Sequence, residues 1–276
     1  MAQRNFKDLL DNQWKDSKFL CVGLDPDLEK IPQAARKGSV KETILAFNRS
    51  IIDATKDIAC AYKPNSAFYE AHGEEGYAAL RGTIEYALEL SPNAAVILDA
   101  KRADIGNTNL GYAVAAFDEL KADALTVQPY AGFAALKPLF ERPEKGVLVW
   151  CRSSNDGAGE FQDLEVEGEP LYVHVARHCA NEWNAKGNCG LVVGATYPGE
   201  VAKVREVAPA LPFLIPGIGA QGGDLEKSVL AAKDAKGAGF VLAISRAIIY
   251  ASGGEDFAEA AGKRAREFHE AITGAL

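Results

Sequence analysis

The sequence predicts the α/β class and, within it, a single closed (β/α)8 barrel. Three observations carry that expectation. Eight short apolar runs, each following turn residues, recur along the 276 residues. Amphipathic stretches of helical period lie between them. The runs are nearly continuous in apolar residues rather than alternating, as expected of parallel strands covered on both faces. Eight such units average about 34 residues each, a natural size for one barrel domain over residues 1–276. A doubly wound open sheet would show the same alternation. Closure is favoured because no Pro/Ser-rich linker, low-complexity segment or charge block divides the chain.

In chain order, residues 1–18 read as a short helical extension, and the first strand is expected over 19–25. The segment ETILAFNRSIIDATKD (42–57) has helical spacing and leads into a second strand at 58–65. Further strands are expected at 94–101, 124–130 and 146–152. The long acidic segment 153–170 is open to two readings, a lid or an insertion. A helix follows in EPLYVHVARHCANEWNAKG (169–187), and the last strands fall at 189–196, 212–219 and 239–246.

Composition narrows the function. With 48% hydrophobic residues, disorder is excluded, and a formal charge of −8 argues against general nucleic-acid binding, which needs clustered Lys and Arg. An anionic ligand must therefore meet a local basic site. Five cysteines without a C-x-x-C pair fit reduced thiols in a cytosolic protein better than a disulfide framework or a zinc site. The opening residues lack an apolar signal-like core, and no run of about 18 apolar residues occurs, so no membrane partner is expected.

In a barrel, chemistry sits at the carboxyl ends of the strands. Those ends are polar here: Asp25, Lys63 with Asn65, Asp99 with Lys101, Arg152 to Ser154, and Ser245 with Arg246. The most informative segment is LDAKRADIGNT (98–108). Strand side chains alternate, so Asp99 and Lys101 are expected on one side, with Lys63 and Asp104 completing an alternating Lys-Asp-Lys-Asp array. Asp104 can return toward the lysine or reach a neighbouring subunit. Opposite charges about 4 Å apart attract by about 4 kcal/mol at an effective dielectric of about 20, which should keep the lysines protonated. A Schiff-base aldolase needs a neutral lysine. A fixed ammonium facing developing carbanion charge instead suits decarboxylation without an electron sink.

A second constellation lies near the C-terminus. PGIGAQGGD (216–224) surrounds Gln221 with glycines, and AISRAIIY (243–250) puts Arg246 at the next strand end. Loops after the seventh and eighth strands are the recurrent phosphate site of this architecture, with a helix N-terminus adding a favourable dipole. A phosphorylated small molecule is expected. His174 and His178 are four apart, but H-V-A-R-H lacks the glutamate of H-E-x-x-H and is not expected to bind metal. Trp14 and Trp183 read as packing residues, and Trp150 is expected to pack between barrel and helices.

Taken together, DAKRADIGNT, the upstream Lys63, PGIGAQGGD, SRAIIY and the CVGLDPD opening resemble the orotidine 5′-phosphate decarboxylase family, in its longer bacterial type. The resemblance runs from about Phe19 to Tyr250. It implies a TIM barrel that converts orotidine 5′-monophosphate to uridine 5′-monophosphate with no cofactor and no metal. By the same resemblance, Lys101 protonates C6 of the pyrimidine, Asp99 sits beside the scissile carboxylate, and Lys63 binds Asp99 and the ribose. Asp25 accepts a ribose hydroxyl, and Asp104 and Thr108 come from the partner subunit of a homodimer with a shared active site. Ser154, or its neighbour Ser153, meets the pyrimidine edge, Gln221 bridges base and phosphate, and Arg246 clamps the phosphate. Ser245 departs from many relatives, which have glycine before that arginine. Two alternatives remain: a magnesium-dependent sugar-phosphate decarboxylase or synthase sharing the D-x-K-x-x-D frame, and a nucleotide-binding barrel without catalysis.

Overall fold

The computed structural model describes residues 4–218 and 224–276. Helix α1 (Phe6–Lys15) precedes β1 (Leu20–Leu24), and α2 (Val40–Thr55) leads to β2 (Ala59–Pro64). Next come α3 (Ala67–Glu70), α4 (Gly73–Leu90), β3 (Ala95–Arg102), α5 (Asn107–Ala113), β4 (Ala124–Val127), α6 (Phe133–Phe140) and β5 (Gly146–Arg152). After β5 the chain forms α7 (Gly159–Gln162), β6 (Glu165–Val166) and β7 (Glu169–Pro170). It continues through α8 (Leu171–His178), β8 (Cys189–Val193), α9 (Pro198–Val207), β9 (Phe213–Pro216), α10 (Leu225–Ala232), β10 (Phe240–Ile244), α11 (Arg246–Ile249) and α12 (Phe257–Gly274).

Eight strands close in the order β1-β10-β9-β8-β5-β4-β3-β2, all parallel, so the expected barrel forms. The strands are apolar on both faces because both are covered. Outward residues such as Leu20, Val22, Val96 and Val147 pack under the helices, while Cys21, Ala61, Ile97, Leu148, Val192 and Leu214 fill the interior. Where that interior ends, the inward residues become polar. Leu148 and Leu214 give way to a layer containing Asp25, Lys63, Asp99 and Thr126 at the C-terminal rim.

The N-terminal extension has a structural role. Asn5 caps α1, its side chain accepting from the Asp8 amide, and Phe6 and Leu10 plug the lower end of the barrel interior. Gly146 makes room for that plug, since a Cβ there would meet the Phe6 ring at 2.3 Å. Arg4 ties the extension down by donating to both carboxylate oxygens of buried Asp123, at 2.9 and 2.7 Å.

The segment 153–170, open between a lid and an insertion, carries secondary structure of its own. It folds into one helical turn and the two-stranded hairpin β6–β7, whose turn residues Glu167 and Gly168 both have positive φ (54° and 82°), as a tight two-residue hairpin requires. Its anchor is Arg152. That side chain was expected over the barrel mouth but is buried away from it, paired with Glu200 at 2.6 Å and Asp163 at 3.0 Å. The cause is a bulge. β5 advances from Trp150 to Arg152 while β8 advances only from Val192 to Val193, which turns Arg152 outward.

Candidate active site

The strand ends converge on a cavity of about 250 Å³ at the carboxyl rim, whose lining includes Asp25, Lys63, Asp99, Lys101, Ser154 and Arg246. Four charged residues form one chain of contacts. Lys63 Nζ lies 4.0 Å from Asp25 and donates to Asp99 Oδ2 at 3.0 Å, and Lys101 Nζ donates to Asp99 Oδ1 at 2.7 Å. Signs alternate along Asp25, Lys63, Asp99 and Lys101. The fourth member within one chain is therefore Asp25, not Asp104.

Asp25 enters because β1 keeps strict alternation: Cys21 and Gly23 face inward, and Asp25 is the next inward position. Gly23 is required there, since a Cβ would meet Ser245 Cβ at 2.5 Å and push β10 away from β1. The backbone amide of Asn65 donates to Asp25 Oδ1, and the Tyr250 hydroxyl donates to the Asp25 carbonyl.

Asp99 and Lys101 meet for a different reason from simple alternation. Between the pairs Leu98↔Leu125 and Arg102↔Val127, β3 advances four residues while β4 advances two. The surplus residues bulge, and Lys101 adopts φ +46°, a left-handed conformation that costs a non-glycine residue on the order of 1–2 kcal/mol. Strain of this kind persists only where neighbours over-determine it. Here the amides of Ala100 and Lys101 both donate to Thr126 Oγ1, at 3.0 and 2.9 Å.

The array fixes charge states. Burial pushes the Asp99 carboxyl up, but the Lys63 and Lys101 ammonium charges outweigh it and hold the group well below the usual carboxylate range. Burial pushes the Lys63 ammonium down, and the charges of Asp25 and Asp99 more than reverse this, raising it above an ordinary lysine. The signs follow. Asp99 stays ionised at every pH above the ordinary aspartate value of about 4, and Lys63 stays protonated below the ordinary lysine value of about 10. Neither residue is expected to add a limb to a kcat against pH profile between about pH 5 and 9. An inflection in that window that vanishes in Asp99→Asn would contradict this assignment of charges.

Other expected residues separate into those brought to the cavity and those held from it. Ser153 and Ser154 both line it. The Ser153 hydroxyl bonds Asn155, whereas the Ser154 hydroxyl makes no hydrogen bond among the described residues. Gly194 lets Ser154 approach, since a Cβ there would lie 2.8 Å from Ser154 Cβ. Arg246 is exposed, lines the cavity, and its guanidinium bonds no described residue. The helix it opens, α11, has only four residues, so the expected dipole contribution is small. The Ser245 hydroxyl beside it is buried without a partner among the described residues. Gly217, with φ +106°, begins the glycine-rich turn, and Gln221 lies outside the described residues.

Asp104 and Thr108 do not reach the cavity of their own chain; both are exposed. Buried Asn109 causes this, because its side chain accepts from the Asp104 amide at 3.0 Å and donates to the carbonyls of Asp104 and Ala135. That clamp directs the 104–108 turn outward. Among the described residues, no group of three His, Cys, Asp or Glu could hold a metal ion. His178 pairs with Glu182 and His174 bonds the Val166 carbonyl.

Two residues carry more than the sequence reading assigned them. Trp150 lines the cavity instead of packing between barrel and helices, with Lys101 Nζ 5.3 Å from its ring centroid. The signal was present, since Trp150 lies two positions after inward-facing Leu148. Thr126 left no comparable signal, because its importance depends on the bulge across from it.

The chain is similar to known proteins over most of its length. The family model described as orotidine 5′-phosphate decarboxylase / HUMPS matches residues 18–261. A curated orotidine 5′-phosphate decarboxylase of Cellvibrio japonicus (strain Ueda107) is 47% identical over 258 residues, covering 93% of this chain and 94% of the relative. The solved structure of Leishmania donovani OMP decarboxylase superposes with a TM-score of 0.84 at 39% identity, covering 99% of this chain and 100% of that one. Leishmania donovani UMP synthase superposes with a TM-score of 0.86 at 40% identity, covering 98% of this chain but 57% of that longer protein.

Proposed function

The chain belongs to the orotidine 5′-phosphate decarboxylase / HUMPS family and is a carboxy-lyase, and on that premise we propose how its own residues decarboxylate orotidine 5′-monophosphate. Lys101 is the proton donor. As the bond from C6 to the carboxylate breaks, carbon dioxide departs and the electron pair stays on C6, where the Lys101 ammonium delivers a proton to give uridine 5′-monophosphate. The Lys101 side chain is 32% exposed, so solvent can restore its proton. Lys63, at 7%, remains a buried fixed charge.

Asp99, held ionised between the two lysines, anchors Lys101 and meets the substrate carboxylate with like charge that is relieved as carbon dioxide leaves. Asp25 and Lys63 take the ribose hydroxyls. Ser154, whose hydroxyl makes no hydrogen bond among the described residues, meets the pyrimidine edge, and Arg246 with Gln221 takes the phosphate. The alternating array at the floor of a small cavity, with a guanidinium at its edge, is the observation that carries this reading.

We assign Asp104 and Thr108 to the neighbouring subunit's site in a homodimer. The outward turn held by Asn109 supports this, as do Ile105 (69% exposed) on that turn and Leu110 (51%) just after it, both apolar. Five buried free thiols, Cys21 among them with its pKa pushed up by burial to about 12, support a reducing cytoplasm. Among the described residues no helix is long and apolar enough to cross a membrane.

The test is direct. Purified protein given orotidine 5′-monophosphate with excess chelator is expected to consume the orotate absorbance. No turnover, or turnover that appears only on adding a divalent ion, would overturn the assignment and favour a metal-dependent member of the family.

A further inference from the structure

We propose that Thr126 is the positioning residue of the proton donor, its single hydroxyl locking the backbone bulge that aims Lys101 and the carboxylate that holds it. The proposal rests on the assignment of Lys101 as donor. Thr126 is 1% exposed and does not line the cavity, so it acts through its neighbours. Its hydroxyl uses its full bonding capacity. It accepts from the amides of Ala100 and Lys101 at 3.0 and 2.9 Å, and donates to Asp99 Oδ1 at 2.9 Å.

Each bond answers a specific need. The bulge carries Ala100 and Lys101 past the β4 register, so their amides take a side-chain acceptor in place of a ladder carbonyl. Lys101 at φ +46° is held there by this tether, and relaxation of the bulge to ordinary strand or helical angles would swing its side chain off Asp99. Asp99 Oδ1 also receives Lys101 Nζ at 2.7 Å, so the bond from Thr126 sets the rotation of the carboxylate on which the ammonium rests. Backbone and side chain of the donor are thus fixed from one atom. Valine has the same shape but no hydroxyl, and serine keeps the hydroxyl without the methyl.

The experiment compares Thr126→Val, Thr126→Ser and Thr126→Ala, reading kcat separately from the Kd for uridine 5′-monophosphate, with Lys101→Ala as control. Thr126→Val is expected to lower kcat about 100-fold, because a misplacement near 1 Å costs that much, while product affinity changes less than about threefold. Thr126→Ser is expected to recover kcat to within about fivefold of the parent. A purely structural threonine would not divide the two variants in this way. If Thr126→Val yields no folded protein, Thr126→Ser against Thr126→Ala gives the same reading: serine near the parent with alanine about 100-fold down supports the proposal. Equal kcat in the hydroxyl-bearing and hydroxyl-free variants, or product affinity falling in step with kcat, overturns it. Loss of turnover in Lys101→Ala beside unchanged kcat in Thr126→Val overturns the proposal alone. Turnover retained in Lys101→Ala overturns the donor assignment and the proposal with it.

Discussion

Lys101→Ala is expected to lower kcat by at least about 10⁴-fold, leaving the folded protein and its affinity for uridine 5′-monophosphate largely intact. Two losses combine. The proton that quenches the C6 electron pair disappears, and general acid catalysis by a positioned group contributes about 10² to 10⁴. The Asp99 carboxylate also loses the partner at 2.7 Å that balanced it, keeping Lys63 and Thr126 among the described residues. The neighbouring charge would then face the substrate carboxylate without its counterweight. Arg246→Ala should behave differently. Its guanidinium stands at the cavity edge and touches no member of the array, so its removal is expected to raise KM by about 10²-fold and leave kcat at saturation within about tenfold. Steady-state kinetics on both variants checks the pair. Small and equal effects would mean that donor and phosphate roles have been assigned to the wrong residues.

The second large effect concerns subunit sharing. Lys101→Ala and Asp104→Ala proteins are each expected to be inactive, yet an equal mixture, dissociated and reassembled, should regain about one quarter of parental activity. Half of the reassembled dimers are mixed. In a mixed dimer, one site combines the intact Lys101 of one chain with the intact Asp104 of the other, while the second site carries both defects. If Asp104 served its own chain, every site would hold one lesion and mixing would restore nothing. The Asn109 clamp favours the first outcome, because it turns Asp104 away from the cavity at the other end of the same loop. Activity measured against the fraction of mixed dimers decides the matter.

The closed barrel was legible because its signals are local. Strand after strand is apolar on both faces, and β1, β2, β3, β5 and β10 run into charged residues where the apolar run stops. Covered parallel strands demand the first property, and the second is expected where this architecture places its sites. Asp99 and Lys101 could therefore be grouped by their spacing and Lys63 by its place at the end of the adjacent strand, and the structure brings Lys63 and Lys101 onto Asp99.

What escaped depends on how neighbouring strands are registered. Alternation along β3 correctly put Asp99 beside Lys101, yet their contact passes through a bulge against β4 and a left-handed lysine, with Thr126 as the pin. A comparable bulge in β5 sent Arg152 outward to Glu200, while Trp150 kept the inward position its alternation with Leu148 required. Asp25 displaced Asp104 as the fourth charge because Asn109, five residues on in the same chain, closes a turn that only the packing of α5 against Ala135 completes. By itself, then, the sequence determined the barrel, its working end and the residue types of the site. The tertiary structure decided which way each side chain points, since one added residue in a strand reverses the faces of those that follow, and that addition exists only relative to the neighbouring strand.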